Sequence, residues 1–215
     1  MHEIRFHGRG GQGTVVASIL LAKAFFKTGY YVQTFPLFGV ERRGAPVESY
    51  LRLDKEKILI RSNIYAPDHI VVQDMKLIHS VDVAKGLKPG GSILINSRNL
   101  PDNIEPFSGF RLAFVDADHI ATSNGLGTRT HPIINTAMIG AFARVLEMPP
   151  LDMIAAAIKN DINIKAKQNV SAAHQAHEEV NLYGMVENRD IIILIFENQT
   201  MTCVPTRTIR KQTNY

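Results

Sequence analysis

The segment Gly8-Arg9-Gly10-Gly11-Gln12-Gly13 lies between a short alternating run, which includes Ile4 and Phe6, and an apolar run that begins at Val15. Four glycines in six residues leave the backbone accessible, and a strand before them with a helix after them forms a βα turn. The free N–H groups and positive dipole end of such a helix favour an anion, most often a phosphate. The alternative that stays open is a tight βα turn that binds no ligand.

The spacing of these glycines follows the G-x-G-x-x-G pattern of dinucleotide-binding folds, with Gly8, Gly10 and Gly13 at the three positions. In its usual form this pattern is followed, about 20 residues later, by an acidic residue that binds the ribose hydroxyls. Residues 28–40 contain no Asp or Glu. The sequence therefore disfavours an ordinary NAD site and leaves open a loop for another phosphate-bearing ligand.

Composition indicates a globular chain with a sizeable core. Its 215 residues are 45% hydrophobic and 20% charged, and they suffice for one domain or for one domain with an extension. The net charge of +4 is spread along the sequence, and no basic run interleaved with aromatic residues predicts nucleic-acid binding. No apolar run has the length of a membrane span, so we expect a cytoplasmic protein.

Cysteine is nearly absent, since Cys203 is the single one in the sequence. One cysteine cannot form an intrachain disulfide, a cysteine-ligated iron–sulfur cluster or a zinc ribbon within this chain. The sequence also shows no Ser/His/Asp or Cys/His arrangement of a nucleophile and its base.

Hydrophobic periodicity predicts alternating strands and helices. The pattern predicts an α/β fold: a doubly wound, mostly parallel sheet with a β-hairpin insertion, helices on both faces, and a C-terminal extension ending in a strand. We expect a domain over residues 1–183 and an extension over 184–215 that docks onto a sheet or a partner. The predicted helices are 14–27, 133–146 (with Pro132 near its first turn), 151–158 and 170–182; the predicted strands are 30–35 (ending at Pro36), 70–73, 92–96, 110–115 and 190–196; the predicted hairpin joins 47–53 to 57–60.

Two adjacent arginines, Arg42 and Arg43, lie in the glycine-containing loop after the second predicted strand. The planar guanidinium group suits carboxylate or phosphate, and the ends of parallel strands open on one edge of the sheet. We therefore expect this loop to face the same crevice as the glycine loop. Glu41 can instead hold one arginine in an ion pair, so one arginine is expected to serve structure and the other a ligand or partner.

For the other polar residues, a structural role is an alternative to ligand binding. Asp74 and Asp116 follow predicted strands, where ligand-binding acids occur, but helix capping is the favoured interpretation. Asn135 falls in the first turn of a predicted helix, where it can line a crevice or satisfy the helix end. His174 and His177 are three residues apart, but two histidines without a third ligand predict no metal site.

Three motifs resemble one known family when they are taken in order. They are Gly8-x-Gly10-Gly11-Gln12-Gly13, then Phe35-Pro36-x-Phe38-Gly39-x-Glu41-Arg42-Arg43-Gly44-x-Pro46, and finally Asn135-Thr136-Ala137-Met138-x-Gly140-Ala141. Together they are similar to the gamma subunit of 2-oxoacid:acceptor oxidoreductases of the pyruvate:ferredoxin type. The resemblance covers about residues 1–183 and departs at Ala45, where that family usually has a second glycine.

The resemblance implies a multi-subunit enzyme that converts a 2-oxoacid, such as pyruvate or an aryl or branched 2-oxoacid, and coenzyme A to acyl-CoA and CO2. Thiamine diphosphate and iron–sulfur clusters are implied in partner subunits: alpha, beta and ferredoxin-like delta subunits, with an NAD-reducing flavoprotein subunit as a further candidate. This chain is implied to be an accessory subunit that is not active alone, with no catalytic residue, no cofactor of its own and no metal. The residues implied to contact coenzyme A are Gly8, Gly10, Gly11, Gln12, Gly13, Arg42, Arg43 and Asn135.

Two other functions stay open at this stage. A purely structural subunit would use the glycines for packing and the arginines in a protein interface. A stand-alone nucleotide-binding protein would use an arginine for the 2′-phosphate of NADP, and binding of NADPH by the isolated chain would support it.

Overall fold

The computed structural model describes residues 1–37, 44–187, 190–197 and 200–205, and along them the chain alternates strands with helices. Two 3-10 helices, Met75–His79 and Glu105–Phe107, follow the fourth and fifth strands. The strands and α-helices are β1 (His2–Arg9), α1 (Thr14–Lys27), β2 (Tyr31–Leu37), β3 (Pro46–Asp54), β4 (His69–Val72), β5 (Ser92–Asn96), β6 (Arg111–Val115), α2 (Ala117–Ser123), β7 (Gly127–Thr128), β8 (His131–Pro132), α3 (Asn135–Leu146), α4 (Leu151–Asp161), α5 (Ala166–Glu179), β9 (Asn181–Glu187), β10 (Asp190–Glu197) and β11 (Thr200–Pro205).

One nine-stranded sheet organises the molecule, with the strand order β11-β10-β9-β6-β5-β4-β1-β3-β2. The four central strands β6, β5, β4 and β1 are parallel to one another, and antiparallel pairs flank them on both sides. From β1 the chain first proceeds toward β2 and later, in the opposite direction, through β4, β5 and β6. The predicted α/β fold with a mostly parallel central sheet is confirmed, and its direction reverses between β1 and β4.

The two faces of the sheet carry separate hydrophobic clusters. On β1, Ile4 and Phe6 join the cluster that the α-helices cover, whereas Arg5 lies on the opposite face because side chains alternate along a strand. The second cluster is covered by loops and the 3-10 helices, which contribute Leu77 and Phe107. Helices therefore lie on both faces, as expected, but α-helices cover one face and 3-10 helices the other.

The hairpin predicted between residues 47–53 and 57–60 is wrong in its second half. β3 forms as expected, but it lies between β1 and β2 and is antiparallel to both. No strand forms at residues 57–60, where Leu59 and Ile60 are exposed. Pairing of β3 with β1 and β2 prevails over the predicted local hairpin, because Leu51 and Leu53 of β3 are fully buried in the hydrophobic cluster that the α-helices cover. A short hairpin occurs instead between β7 and β8.

Several element ends differ from the predictions for identifiable reasons. Pro36 lies inside β2, not at its exit, which an edge strand tolerates because its outer N–H groups need no partner. Pro132 belongs to β8, so α3 begins at Asn135, three residues after Pro132, and not at residue 133 as predicted. The last helix ends at Glu179, and Asn181 already pairs with β6 as part of β9.

The C-terminal segment continues the sheet within this chain. β9 is antiparallel to β6, β10 pairs with β9, and β11 pairs with β10. The expected domain boundary at residues 183 and 184 falls inside β9, and the division into two units stays a prediction. None of the described helices has the length and apolar character needed to cross a membrane.

Candidate functional site

The glycine loop connects the end of β1 directly to the start of α1, as the sequence predicts. Gly11 has φ +98° and Gly13 has φ +76°, backbone values that L residues with a side chain rarely adopt. Gly13 is also the N-cap residue of α1, and no side chain caps that helix end. The turn therefore needs glycine at two positions and directs the first turn of α1 toward the carboxyl edge of the sheet.

Hydrogen bonds to backbone carbonyl oxygens, one in the loop and one at Ala45, occupy two of the four candidate amides of the glycine loop. The Gly10 N–H donates to the Ala45 carbonyl oxygen at 2.9 Å, and the Gln12 N–H donates to the Arg9 carbonyl oxygen at 3.0 Å. Neither the Gly11 nor the Gly13 amide donates to an acceptor among the described residues. Four amides were candidates for binding phosphate, and these backbone bonds use two of them.

Two of the glycines are required by close packing. A Cβ atom on Gly8 would lie 2.1 Å from Thr14 Oγ1 and 2.8 Å from Gln73 Oε1. A Cβ atom on Gly13 would lie 2.9 Å from Asn135 Nδ2. Asn135 is 5% exposed, and its Oδ1 accepts a hydrogen bond from the Thr136 N–H at 2.9 Å. Asn135 thus packs behind the loop and is not among the residues that line the cleft described next.

A cleft of about 510 Å³ opens where the parallel strands end. It lies between the carboxyl ends of β1 and β4, the place where the strand order reverses and where ligands bind in open α/β sheets. The lining combines the glycine loop with residues that follow β4, β5, β6 and β7: Gly10, Gly11, Gln12, Gln73, Asp74, Met75, Lys76, His79, Asn96, Asp118, Thr130, His131, Pro132 and Ile133.

A chain of amide and carboxyl groups forms one wall of this cleft. Asn96 Nδ2 donates to the Gln73 carbonyl oxygen at 3.0 Å and to Asp118 Oδ1 at 3.2 Å, while Asn96 Oδ1 accepts from the Ala117 N–H. Desolvation raises the pKa of Asp118, the nearby carboxylates of Asp116 and Asp74 add to this, and the Asn96 hydrogen bond acts in the opposite direction. The wall thus presents neutral amides and a carboxyl group.

Charged residues at the rim have both signs. Asp74 Oδ2 accepts a hydrogen bond from Arg9 Nε at 2.6 Å, and its Oδ1 accepts from the Lys76 N–H at 2.9 Å. The capping interpretation of Asp74 is therefore correct, because it caps the 3-10 helix after β4. Lys76 and His79 are exposed at this rim, where the Lys76 ammonium group is accessible to an anionic ligand.

Gly44 and Ala45, which directly follow Arg42 and Arg43 in the sequence, contact the glycine loop (residues 8–13), whereas the two arginines lie outside the described residues. The Gly44 N–H donates to the Gly10 carbonyl oxygen at 3.1 Å, which complements the bond from Gly10 to Ala45. Gly44 and Ala45 therefore lie next to the glycine loop at this edge of the sheet. Which of the two arginines meets a ligand stays a prediction.

The remaining polar candidates, Asp116 and the pair His174 and His177, lie at the start of α2 and on α5. Asp116 caps α2 by accepting from the His119 N–H at 2.9 Å. His174 and His177 lie on α5, and no three His, Cys, Asp or Glu side chains of the described part form a metal-binding group. Metal ligation by this histidine pair gains no support.

Among the lining residues that sequence reasoning missed are Gln73, Asn96 and Asp118. Gln73 and Asn96 each stand at the carboxyl end of a buried parallel strand, and this position was the available signal. Asp118 lies in the first turn of α2, where an acidic residue gives no signal of its own for a ligand site. Their convergence depends on the order of β4, β5 and β6, which a single strand pattern does not reveal.

Comparisons with known proteins agree with this architecture. The family described as pyruvate ferredoxin/flavodoxin oxidoreductase matches residues 3–179. The chain is 45% identical over 181 residues to pyruvate synthase subunit PorC of Methanocaldococcus jannaschii, covering 84% of this chain and 97% of that protein. It is 44% identical over 190 residues to the pyruvate/ketoisovalerate oxidoreductase common subunit gamma of Thermococcus kodakarensis, covering 86% and 100%.

A solved structure shares both the fold and the sequence pattern. The pyruvate oxidoreductase subunit PORC of Thermotoga maritima superposes with a TM-score of 0.72 at 34% identity, covering 84% of this chain and 97% of that subunit. The glycine loop, the strand order and these matches lead to one conclusion: the chain belongs to the pyruvate ferredoxin/flavodoxin oxidoreductase family.

Proposed function

We propose that this chain is the gamma subunit of a multi-subunit 2-oxoacid:acceptor oxidoreductase and that it helps to bind coenzyme A. The reaction is the oxidative decarboxylation of a 2-oxoacid, such as pyruvate or an aryl or branched 2-oxoacid, to acyl-CoA and CO2. Support comes from relatives of nearly equal length, which are named as subunits of pyruvate synthase and of pyruvate/ketoisovalerate oxidoreductases.

The observation that carries the binding role is the cleft at the reversal of strand order, with Gly10, Gly11 and Gln12 of the glycine loop on one side and α1 beginning directly after that loop. Within the described part of the chain, no acceptor takes the amides of Gly11 and Gly13, and the dipole of α1 favours negative charge at this end. A diphosphate would therefore lie against Gly11, Gly13 and the first turn of α1. Arg42 or Arg43 would contact a second phosphate or a neighbouring subunit.

The redox chemistry belongs, in this proposal, to partner subunits. A cysteine-ligated cluster needs several thiolates, and this chain has only Cys203. Thiamine diphosphate and the iron–sulfur clusters would be held by the alpha, beta and ferredoxin-like delta subunits, with an NAD-reducing flavoprotein as a further candidate. This chain would act as an accessory subunit in the cytoplasm, without catalytic residues of its own.

The test begins with the complex purified from its native host by a tag on this chain. We expect mass spectrometry to identify the partner subunits and the visible spectrum to show iron–sulfur absorbance. Coenzyme A binding by the complex is then measured with wild-type chain and with Gly11→Val. Open space surrounds Gly11, but its φ of +98° is strained for valine, so the variant distorts the cleft lining without a steric clash.

We expect the variant complex to assemble and to bind coenzyme A roughly tenfold or more weakly, because lost hydrogen bonds to charged groups cost about 1.5–3 kcal/mol each. Unchanged affinity in a folded complex would refute the binding role. A colourless chain without partners would refute the subunit assignment.

A purely structural role is the second candidate, and one observation favours it. Val16, Ile19 and Phe26 are exposed on α1, with Phe26 66% accessible, and Ile19 and Phe26 line a mostly apolar groove beside α4. Contiguous apolar surface of this kind is typical of protein interfaces. If this role were the whole function, Phe26→Ser would weaken assembly while Gly11→Val left coenzyme A affinity unchanged.

A further inference from the structure

The side chain of Gln73 is anchored at one end only. Gln73 is fully buried at the wall of the cleft, directly after the last residue of β4. Its main chain is satisfied on both sides, because its N–H donates to the His7 carbonyl oxygen at 2.8 Å and its carbonyl accepts from Asn96. Its Oε1 accepts from Thr14 Oγ1 at 2.7 Å. The side-chain oxygen and the backbone are therefore held in place.

The amide nitrogen of the same side chain has no partner. Among the described residues, Gln73 Nε2 is the buried side-chain polar atom without a hydrogen bond. Exchanging the amide oxygen and nitrogen would not remove the vacancy, since one atom bonds Thr14 and the other would still be unpaired. A buried donor left unpaired destabilises a protein by about 1–3 kcal/mol, so such a group calls for a partner that binds later.

The surroundings restrict the chemistry of that partner. Less than 1 Å² of Nε2 is accessible, so a ligand acceptor receives its hydrogen bond only when the cleft lining shifts slightly as the ligand binds. Asp118 lies beside Gln73, since Asn96 Nδ2 donates to both residues, and its carboxyl group disfavours a phosphate dianion at this point of the wall. A neutral carbonyl oxygen satisfies the donor without adding negative charge.

We propose that Gln73 is a ligand-binding residue whose Nε2 donates to an amide carbonyl oxygen of the ligand, not to a phosphate. This inference rests on the proposed function, in which coenzyme A occupies the cleft. Within coenzyme A the pantetheine arm carries amide carbonyls, whereas the adenosine part carries the 3′-phosphate. Gly8 makes the arrangement possible, because a side chain there would collide with both Thr14 Oγ1 and Gln73 Oε1.

The principal variant is Gln73→Glu in the purified complex. It preserves shape and keeps an oxygen for Thr14 Oγ1, but it replaces the donor nitrogen by an oxygen. Gln73→Met removes the amide altogether and serves as a second variant, in case the new carboxyl group disturbs folding. The matched control is Gln168→Glu, the same chemical change at an exposed position of α5. Thermal unfolding and subunit recovery report whether each complex is intact.

We expect both Gln73 variants to weaken coenzyme A binding roughly tenfold, the effect of one lost hydrogen bond of about 1.4 kcal/mol, with Gln168→Glu unchanged. Pantetheine and adenosine 3′,5′-bisphosphate, used as separate competitors, locate the contact. The loss should appear for pantetheine and not for adenosine bisphosphate, while the KM for the 2-oxoacid stays within about twofold.

Three results would overturn the inference: unchanged coenzyme A affinity in both variants, a loss confined to adenosine bisphosphate, or a change confined to the KM of the 2-oxoacid. The proposed function fails separately, at an earlier step, if the wild-type complex does not bind coenzyme A at all. The two failures are therefore distinguishable.

Discussion

At the scale of single residues, Arg52 shows how β3 is held between its neighbours. Its side chain is 1% exposed, and Nε donates to Glu3 Oε1 on β1 at 2.8 Å. One terminal nitrogen donates to Gln33 Oε1 on β2 at 3.0 Å, and the other donates to the Asn63 carbonyl oxygen at 3.2 Å. One buried guanidinium thus connects three strands and the loop after them.

Arg52→Met is expected to lower the free energy of unfolding by about 3 kcal/mol, because three hydrogen bonds of a buried guanidinium are lost and Glu3 keeps only the longer contact of 3.8 Å to Lys88 Nζ. Urea unfolding of the chain measures the change. Adding Glu3→Gln should cost less than the sum of the two single changes, since the pair is coupled. Additive losses would show that Arg52 acts through packing alone.

At the scale of elements, the contact between α3 and α5 depends on one glycine. A Cβ atom on Gly140 would lie 2.0 Å from the carbonyl oxygen of Ala173 on α5. Ala173 is fully buried, and the obstacle is a backbone atom, which cannot rotate away as a side chain can. The small residue therefore sets how closely these two helices approach.

Gly140→Ala is expected to destabilise the chain by about 1–2 kcal/mol. The gain in helix propensity of about 1 kcal/mol is outweighed by the overlap, which forces the helices apart. Thermal and urea unfolding measure the effect. Arg144→Ala, at an exposed position of the same helix, is the control and should stay within about 0.5 kcal/mol of wild type. Increased stability of Gly140→Ala would contradict the packing argument.

At the scale of the whole molecule, buried histidine couples stability to pH. His69 is 6% exposed, contacts Ser92 Oγ through Nδ1 at 2.7 Å, and packs edge-on against Phe142 of α3. Desolvation lowers the pKa of His69 to about 4. Because its environment includes β4, β5 and α3, its protonation is linked to unfolding of the whole core.

Stability should fall on acidification through this linkage. The folded pKa lies below the unfolded value of about 6.5, so the contribution of neutral His69 is complete above pH 6.5 and declines between about pH 6.5 and 4. Between pH 7 and 5, His69→Asn should lose roughly 2 kcal/mol less than wild type in urea unfolding. Carboxylates affect both proteins alike, so parallel pH profiles would refute the assignment.

Much of the fold could be predicted from local pattern. The bounds of α1 match the predicted helix, and β5 matches its predicted strand, because apolar spacing and the bordering glycines are local signals. The pairing of β3 with β1 and β2 could not be predicted, since residues distant in sequence decide which edge is filled. The division of the chain into two units at residues 183 and 184 stays a prediction.

Some features of the candidate site likewise follow from the sequence alone, and others only from the tertiary structure. Sequence alone determined the glycine loop, its place between a strand and a helix, and the family, because glycine spacing is a property of consecutive residues. Only the tertiary structure decided that the amides of Gly10 and Gln12 donate to backbone carbonyl oxygens and that Asn135 packs behind the loop. It also decided that Gln73 lines the cleft with an unpaired hydrogen-bond donor. Those facts depend on strand order and side-chain contact across long separations in sequence, which local pattern does not encode.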